Sequence, residues 1–253
     1  MKNEPATEEI PEPIIEKKYV AFCDILGFSA AVTRDLKATI SLYREFASQA
    51  VKVSNYIENV KITIYSDAIL IVGDNLAPVL CTIQLLWSAA LKNDYLIRGG
   101  VAFGDYWSEE KDGHFFVVSD ALVQAVKLEA TVSVPAVVLA DDIDIPEKMW
   151  AYRFKTTNSD GTFDTSEENS NPIFRTPLLH FRDRNIVNPF HQYWFASAEP
   201  RVRQMLEVHP EHKVKYNWFL ALCHAVSTDK AFIPDTLYEK WVNEGTLLPP
   251  PKN

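Results

Sequence analysis

The chain has 253 residues, a formal net charge of −9, 47% hydrophobic residues and 23% charged residues. This length suits one large domain, or a domain of about 150 residues with an extension. The acidic balance argues against a nucleic-acid-binding protein, because phosphate neutralisation needs clustered Lys and Arg. The N-terminal residues lack the apolar core of a signal peptide, and no apolar run of about 18 residues occurs. We therefore predict a cytoplasmic protein that does not enter the membrane.

The three cysteines, Cys23, Cys81 and Cys223, are far apart in the sequence and odd in number. A redox or metal-binding role is one interpretation. Their apolar surroundings favour the other, in which they are small buried hydrophobic residues in a reducing compartment.

The first part of the chain predicts a tail, a strand and a helix. Residues 1–16 are rich in Pro and Glu, which is typical of a flexible tail. Residues 19–23 form a short apolar run that predicts a strand ending at Asp24. Residues 30–37 indicate a polar connector. Apolar residues then recur at steps of three and four over residues 38–58, which predicts a helix.

The next elements complete a mixed α and β pattern. Two apolar runs on either side of Asp67 predict a hairpin with this residue at or near its tip. The following predictions are a helix at 78–92, a strand at 95–103 ended by Gly104, an extended piece at 115–118, a helix at 119–131 and a strand at 134–140. The order β-α-β-β-α-β-α-β predicts an α+β fold, a ferredoxin-like βαββαβ domain with an added helix and strand.

Residues 17–150 are predicted to form this domain, and residues 151–253 a mostly helical extension packed on it. The extension begins with a polar stretch at 155–171, which predicts an exposed loop. A strand-like piece at 173–181 and helical stretches at 199–208 and 211–227 follow. Its large aromatic residues, Trp194, Trp218, Phe219 and Trp241, are expected to pack on the domain.

Strand alternation groups several polar residues on one side of the predicted sheet. Because side chains alternate across a strand, Thr63, Tyr65 and Asp67 share one face. Asp24 shares its face with Phe22 by the same rule. In the fourth strand Arg98 aligns with the small residues Gly100 and Ala102. We therefore expect one apolar face and one polar face with open space for a ligand.

Two carboxylates at the ends of neighbouring strands indicate a divalent cation site. An aspartate after a strand is also a common turn residue or helix cap, which is the alternative for Asp24. Asp67 lies between two β-branched runs, so a solvated turn explains it less well. Arg98 is either a salt-bridged residue or a ligand contact, and Lys127 is either a solvated charge or a phosphate contact.

Four segments resemble the class III nucleotidyl cyclase catalytic domain. They are AFCDILGFS at 21–29, ITIYSDAILIV at 62–72, IRGGVAFGD at 97–105 and ALVQAVKLEA at 121–130. The likeness covers about residues 17–142. The resemblance implies a site in which Asp24, Asp67 and the backbone carbonyl of Ile25 hold two divalent cations, Mn²⁺ or Mg²⁺.

The chain departs from the purine cyclases at the positions that the family uses for base and ribose. The Asn and Arg of the late helix correspond to Val123 and Lys127, and the base-reading Lys and its acidic partner correspond to about Thr63 and Phe116. The chain is more similar to the pyrimidine cyclases of bacterial Pycsar anti-phage systems. This likeness implies a cyclase acting on UTP, or next on CTP.

The resemblance also implies roles for the remaining candidate residues. The catalytic set is Asp24, Asp67, Lys127 and Arg98, and the substrate-binding set is Phe22, Leu26, Gly27, Phe28, Ser29, Thr63, Tyr65 and Arg98. A homodimer with composite sites is expected, as is a separate effector protein that reads the cyclic product. Two alternatives stay open, a purine cyclase with unusual base contacts and an inactive cyclase-like module that dimerises or senses nucleotides.

Overall fold

The structure is a computed structural model that describes residues 12–153, 156–157, 163–164, 170–171, 176–190, 195–228 and 232–245. Most of the predicted tail, most of the predicted loop at 155–171 and Trp194 lie outside these ranges. The first strand begins at Glu16, one residue earlier than the predicted boundary of the tail.

Helices and strands alternate through the first part of the chain and are followed by short strands and three helices. The strands are β1 (Glu16–Leu26), β2 (Val60–Tyr65), β3 (Ala68–Gly73), β4 (Leu96–Lys111), β5 (His114–Ser119), β6 (Val137–Leu139), β7 (Tyr152–Arg153), β8 (Thr156–Thr157), β9 (Phe163–Asp164), β10 (Ser170–Asn171), β11 (Leu178–His180) and β12 (Asn185–Val187). The helices are α1 (Phe28–Arg34), α2 (Leu36–Tyr56), α3 (Leu76–Lys92), α4 (Asp120–Thr131), α5 (Phe195–Val208), α6 (Lys213–Ser227) and α7 (Asp235–Asn243). Short 3₁₀ turns occupy Glu147–Met149 and Pro210–His212.

Within the described residues, eight strands form one sheet in the order β11-β12-β6-β4-β1-β3-β2, with β5 paired to β4. The pairs β4–β1, β1–β3 and β3–β2 are antiparallel. This is the ferredoxin-like order, and it confirms the predicted α+β fold. Strand β6 runs parallel to β4, and the hairpin β11–β12 extends the sheet beyond it. The C-terminal extension therefore contributes strands as well as helices.

The predicted connector at 30–37 is wrong, because helix α1 occupies most of it. Phe28 is buried, and Val32, one turn later, packs against the same core. Asp35 then separates α1 from α2, and its carboxylate accepts the backbone N–H of Ala38 at 3.0 Å as a helix cap. A helix of seven residues with only two apolar anchors is too short to give a clear periodic pattern.

Strand β4 does not end at Gly104 as predicted, but continues to Lys111. Its second half pairs with β5 from Tyr106–Ser119 to Lys111–His114, so the turn lies at Asp112 and Gly113 instead. The predicted helix start is confirmed at α4, where the Ser119 hydroxyl accepts the N–H of Leu122 at 3.1 Å.

The two faces of the sheet are packed differently. One face carries Ala21, Cys23 and Ile25 of β1 into the main core, which also contains residues of α2, α3 and the C-terminal helices. The other face is partly covered by α4, which contacts β1 and β4 and closes a small second core of Val20, Val72, Tyr106 and Ala121. The expectation of an open polar face is therefore wrong for the part above β1 and β4.

The C-terminal extension shares the main core. Phe219 of α6 stacks on Trp87 of α3 with ring centroids 5.3 Å apart, and Trp241 of α7 is also buried. Glu147 accepts hydrogen bonds from Lys240 and from the Trp241 indole, at 2.6 and 3.0 Å. These contacts join α7 to the 3₁₀ turn near the end of the domain.

Cys23 and Cys223 are buried and Cys81 is half-buried, and all three thiols are free. Burial raises the pKa of each thiol, that of Cys223 to about 12. These surroundings suit small core residues rather than reactive thiols. Among the described helices, none has both the length and the apolar character needed to cross a bilayer.

Candidate active site

The tip of the β2–β3 hairpin is attached to the end of β1. Ser66 and Asp67 form its two-residue turn, with Ser66 in the left-handed region at a φ of 56°. The Ile25 N–H donates to the backbone carbonyl of Asp67 at 3.1 Å, and the Tyr43 hydroxyl donates to that of Ser66 at 2.6 Å. The tip is thus fixed by β1 on one side and by α2 on the other.

This attachment brings the carboxyl groups of Asp24 and Asp67 together. Asp24 pairs with Ala68 in the β1–β3 register, directly after Asp67 in the chain. Partial burial is the main cause of the raised pKa of Asp24, Arg98 opposes it, and the charge and hydrogen bond of Asp67 add to it. Two carboxyl groups in such contact repel each other when both are ionised, and a bound cation removes that repulsion.

Arg98 holds the Asp24 carboxylate from the neighbouring strand. The two residues are directly opposite each other in the β1–β4 register and share one face of the sheet, and strand alternation predicts the shared face. The Arg98 Nε–H donates to Asp24 Oδ2 at 3.0 Å, and its Nη1 donates to the carbonyl of Val132 at 3.2 Å. Glu129 Oε1 lies 2.8 Å from the same Nε without a well-aligned hydrogen bond.

Glu129 is a second, more deeply buried carboxylate beside Arg98. Its side chain is 10% exposed, and burial is the main cause of its raised pKa, with Arg98 opposing and Asp24 adding to it. Asp24 thus interacts with two other carboxyl groups, Asp67 on one side and Glu129 on the other, and Arg98 supplies one positive charge against the three. When the three carboxyl groups are ionised, the site has a net negative charge, and this charge favours a cation as ligand.

The glycine turn after β1 begins α1. Gly27 has a φ of 81°, which other residues adopt only with strain, and it immediately precedes Phe28. The Phe28 ring is buried against Tyr43 and Tyr95, with centroids 5.2 and 6.2 Å away. Its side chain is therefore an anchor for the turn, and only its backbone is available to a ligand. Ser29 is exposed, and its carbonyl accepts the Thr33 hydroxyl.

The candidate base-reading residues do not converge within one chain. Thr63 and Tyr65 are on β2, and three strand spacings, roughly 14 Å, separate β2 from β4. The guanidinium of Arg98 is turned toward Asp24, Glu129 and Val132 rather than toward β2. Tyr65 is 83% exposed. A role in base recognition stays a prediction for all three residues.

The expected ligand space beside Arg98 is filled by helix α4. A Cβ on Gly100 would lie 2.5 Å from the carbonyl of Ala125 and 2.8 Å from the Cβ of Leu128. Ala102, two residues further along β4, is fully buried. The small residues of β4 therefore allow the close approach of a helix. Lys127 lies on the exposed side of α4 and makes no ion pair with the described part of the chain.

Two residues of the site were not predicted as such. Tyr43 falls within the predicted helix at 38–58 and Glu129 within that at 119–131, and the sequence predicts no role in the site for either. A polar residue at a buried helical position is the signal for Glu129, because buried carboxylates need a partner. No local signal marks Tyr43, whose acceptor is 23 residues away.

The donor set fits a hard divalent cation. Mg²⁺ is commonly bound by one or two carboxylates together with phosphate oxygens of a substrate. Asp24 and Asp67 supply two such carboxylates, although the described residues contain no group of three or more side chains suited to a metal. A cation held here therefore depends on oxygens from the backbone, from water or from a phosphorylated ligand.

No family model matches the chain, and no curated protein does. Among solved structures, the chain is similar to the adenylyl cyclase CyaB from P. aeruginosa, with 14% identity, a TM-score of 0.43 and coverage of 52% of this chain and 80% of that one. It is similar to the guanylate cyclase domain of RhGC from Catenaria anguillulae, solved in complex with GTP, with 18% identity, a TM-score of 0.43 and coverage of 58% and 93%. It is also similar to a bacterial light-regulated adenylyl cyclase, with 12% identity, a TM-score of 0.46 and coverage of 78% of this chain and 58% of that one. These are partial likenesses of fold, so the function has to follow from the site itself.

Proposed function

We propose that this protein is a nucleotidyl cyclase that converts a nucleoside triphosphate into a 3′,5′-cyclic nucleotide and pyrophosphate. The observation that carries the proposal is the pairing of Asp24 and Asp67, with the hairpin tip fixed to β1 by the Ile25–Asp67 hydrogen bond. The F-x-D-x-x-G-F turn over residues 22–28 adds support. A pyrimidine substrate, UTP before CTP, is the more specific form of the proposal.

In the proposed reaction the ribose 3′-oxygen attacks the α-phosphorus. A new phosphorus–oxygen bond forms, the bond from the α-phosphorus to the bridging oxygen of the β-phosphate breaks, and the 3′-hydroxyl proton is released. Divalent cations, when bound, activate the attacking hydroxyl and neutralise the leaving phosphates. Asp24 and Asp67, with the carbonyl of Ile25, are the residues that would hold them.

The other residues of the site orient these groups. Arg98 and Glu129 fix the rotamer of Asp24, since the guanidinium bridges the two carboxylates. The backbone from Leu26 to Ser29 is proposed to bind the phosphates, with the left-handed Gly27 forming the turn. Lys127 is proposed to offset negative charge that develops on the α-phosphate.

The substrate assignment rests on two departures from purine cyclases, at Thr63 and Phe116. Neither side chain can replace the Lys and acid that read a purine. A purine cyclase with other base contacts is the second candidate, because the solved cyclases named above are adenylyl and guanylyl enzymes. An inactive module is the third, since Val123 replaces the Asn of the late helix.

One experiment separates the three candidates. The purified chain is incubated with Mn²⁺ and each of UTP, CTP, ATP and GTP, and the products are identified by mass spectrometry. Cyclic UMP or cyclic CMP as the main product supports the proposal. A purine product contradicts the pyrimidine assignment. The absence of any cyclic product, in a chain that is folded by circular dichroism, contradicts cyclase activity itself.

A homodimer with composite sites is part of the proposal. Four apolar side chains are exposed on β5 and α4, elements that contact each other: Phe116, Val118, Val123 and Val126 are 49%, 70%, 52% and 38% exposed. They make this side of the domain suited to a second copy. Lys127 would then act on the Asp24–Asp67 pair of the partner subunit.

Mixing two inactive variants tests the composite site. Asp67→Asn and Lys127→Ala chains are each assayed alone and then after mixing. Mixed dimers carry one intact site, so activity should return to about a quarter of the parent value at equal amounts. No recovery in a mixture that light scattering shows to be dimeric would contradict the head-to-tail arrangement. We further propose that the cyclic product signals to a separate effector protein in anti-phage defence.

A further inference from the structure

The C-terminal extension approaches the glycine turn of the candidate site. His212, in the 3₁₀ turn before α6, places its Nε2 3.4 Å from the position of a Cβ on Gly27. This contact joins residues that are far apart in the chain, one in the turn after β1 and one in the extension. A Cβ at position 27 would therefore be in van der Waals contact with the extension.

Two cavities meet at this contact. The larger has a volume of about 200 Å³ and is lined by residues including Gly27, Arg34, Asn93, His209 and His212. The smaller, about 10 Å³, lies between Gly27, His212, Lys215 and Tyr216. A cavity of 10–15 Å³ holds about one water molecule, so the larger one has room for a small phosphorylated group.

The lining of these two cavities carries several hydrogen-bond donors and charges of both signs, positive on Arg34 and Lys215 and negative on Asp35 and Asp94. Arg34 lies with Nη1 3.2 Å from His209 Nδ1 and makes no ion pair with the described residues. Glu211 Oε1 lies 3.4 Å from His209 Nδ1 and 4.0 Å from His212 Nε2, and burial lowers the pKa of His212. Asp94 is already paired with Arg201 at 2.9 Å, and Asp35 caps α2. With Asp94 neutralised by Arg201, the lining keeps the two positive charges of Arg34 and Lys215 against the one negative charge of Asp35.

We infer that Arg34, His212 and Lys215 form an anion-binding site for the terminal phosphates of the substrate and for the pyrophosphate product. The identity of the anion rests on the proposed function, in which the backbone beside Gly27 binds the phosphates. Arg34 presents a planar set of donors, Lys215 a positive charge and His212 a ring N–H. The extension thereby completes the phosphate-binding part of a site whose carboxylates all come from the domain.

Binding of inorganic pyrophosphate to the full chain tests this inference without any turnover. Isothermal titration calorimetry compares the parent with Arg34→Ala, Lys215→Ala and the matched control Lys213→Ala. Lys213 is an exposed lysine two residues earlier in the same helix, outside the lining of both cavities. We expect a loss of about tenfold or more in affinity for the first two variants and none for the control.

Several outcomes would overturn the inference. They are equal affinity in all four chains, an equal loss in Lys213→Ala and Lys215→Ala, or no pyrophosphate binding by the parent. Cyclic product formation is measured separately on the parent. If the parent binds pyrophosphate at this site but forms no cyclic product, the proposed function fails while the anion site stands. If it forms product and the variants bind pyrophosphate as the parent does, the anion site fails and the proposed function stands. Because Arg34 and Lys215 are on different elements, misfolding of one variant leaves the other to decide.

Discussion

The two faces of the central sheet use the same strands for different purposes. On the core face, Cys23 and Ile69 are almost fully buried and paired across β1 and β3. On the other face, Asp24, the residue after Cys23 in β1, is a half-buried carboxylate held by Arg98. The comparison teaches that alternation alone separates residues that stabilise the fold from residues suited to chemistry. The following changes test this separation, from the largest expected effect to the smallest.

Replacing Asp67 with Asn should have the largest effect, and on activity alone. The amide keeps the shape of the side chain but removes the charge that the proposed cations need. We expect turnover to fall by about a hundredfold to a thousandfold, the range for loss of a main electrostatic group. The thermal midpoint should stay near that of the parent. Asp141→Asn, at an exposed aspartate after β6, is the control. Retained activity of Asp67→Asn with added Mn²⁺ would contradict the assignment.

Replacing Ile69 with Ala, two residues further along the chain in β3, should show the opposite result. Ile69 is fully buried in the main core, so truncation leaves a cavity. We expect a loss of about 2–5 kcal/mol in the free energy of unfolding, measured by urea titration. The chain that stays folded should keep its turnover per folded molecule. A selective loss of turnover with unchanged stability would show that the core face also serves the site directly.

Replacing Gly100 with Ala should break the contact between the polar face and α4. The new Cβ would collide with the carbonyl of Ala125, and the helix has to move away from β4. We expect a destabilisation of about 1–3 kcal/mol by urea titration, typical of overpacking. Ala102→Ser, at a buried position two residues further along the same strand, provides a comparison. An unchanged midpoint for Gly100→Ala would mean that α4 is not held this closely.

Replacing Arg98 with Lys should give the smallest of these effects and decides the role of Arg98. A lysine keeps the charge but loses the fork that contacts Asp24, Glu129 and Val132 together. If Arg98 positions Asp24, turnover should fall about tenfold on every nucleotide, while the order of preference among them stays the same. Glu129→Gln should give the same pattern. A changed order of preference would instead place Arg98 at the base.

The stability of the Arg98 cluster should also depend on pH. Burial raises the pKa of Glu129 and Asp24 above their ordinary values. A carboxyl group whose pKa is raised on folding costs stability once the pH is above its unfolded value, and the cost grows until the pH passes the folded value. Glu129→Gln removes this cost together with the charge. The loss of unfolding free energy caused by Glu129→Gln should therefore be smaller at pH 8 than at pH 5. Urea midpoints at pH 5 and pH 8 measure this difference.

The sequence by itself determined the elements and the pair of aspartates. The alternation in the β1, β2 and β3 segments and the turn residues near Gly27 and Asp67 are local patterns, and they place both carboxylates at strand ends. The shared face of Asp24 and Arg98 also follows from parity, whereas their direct pairing is set by the β1–β4 register. Short or irregular elements such as α1 and the second half of β4 were not predicted, because a few residues show too little hydrophobic periodicity.

Only the tertiary structure decided what surrounds these residues. The contact of Arg98 with Asp24 spans 74 residues, and the Tyr43 hydroxyl reaches a carbonyl in another element. The position of α4 over Gly100 and that of His212 beside Gly27 are likewise set by packing between distant segments. A local pattern records which face a side chain takes, but not which distant element covers that face. For this reason the ligand space expected beside Arg98 is a helix contact, and the extension lies at the glycine turn.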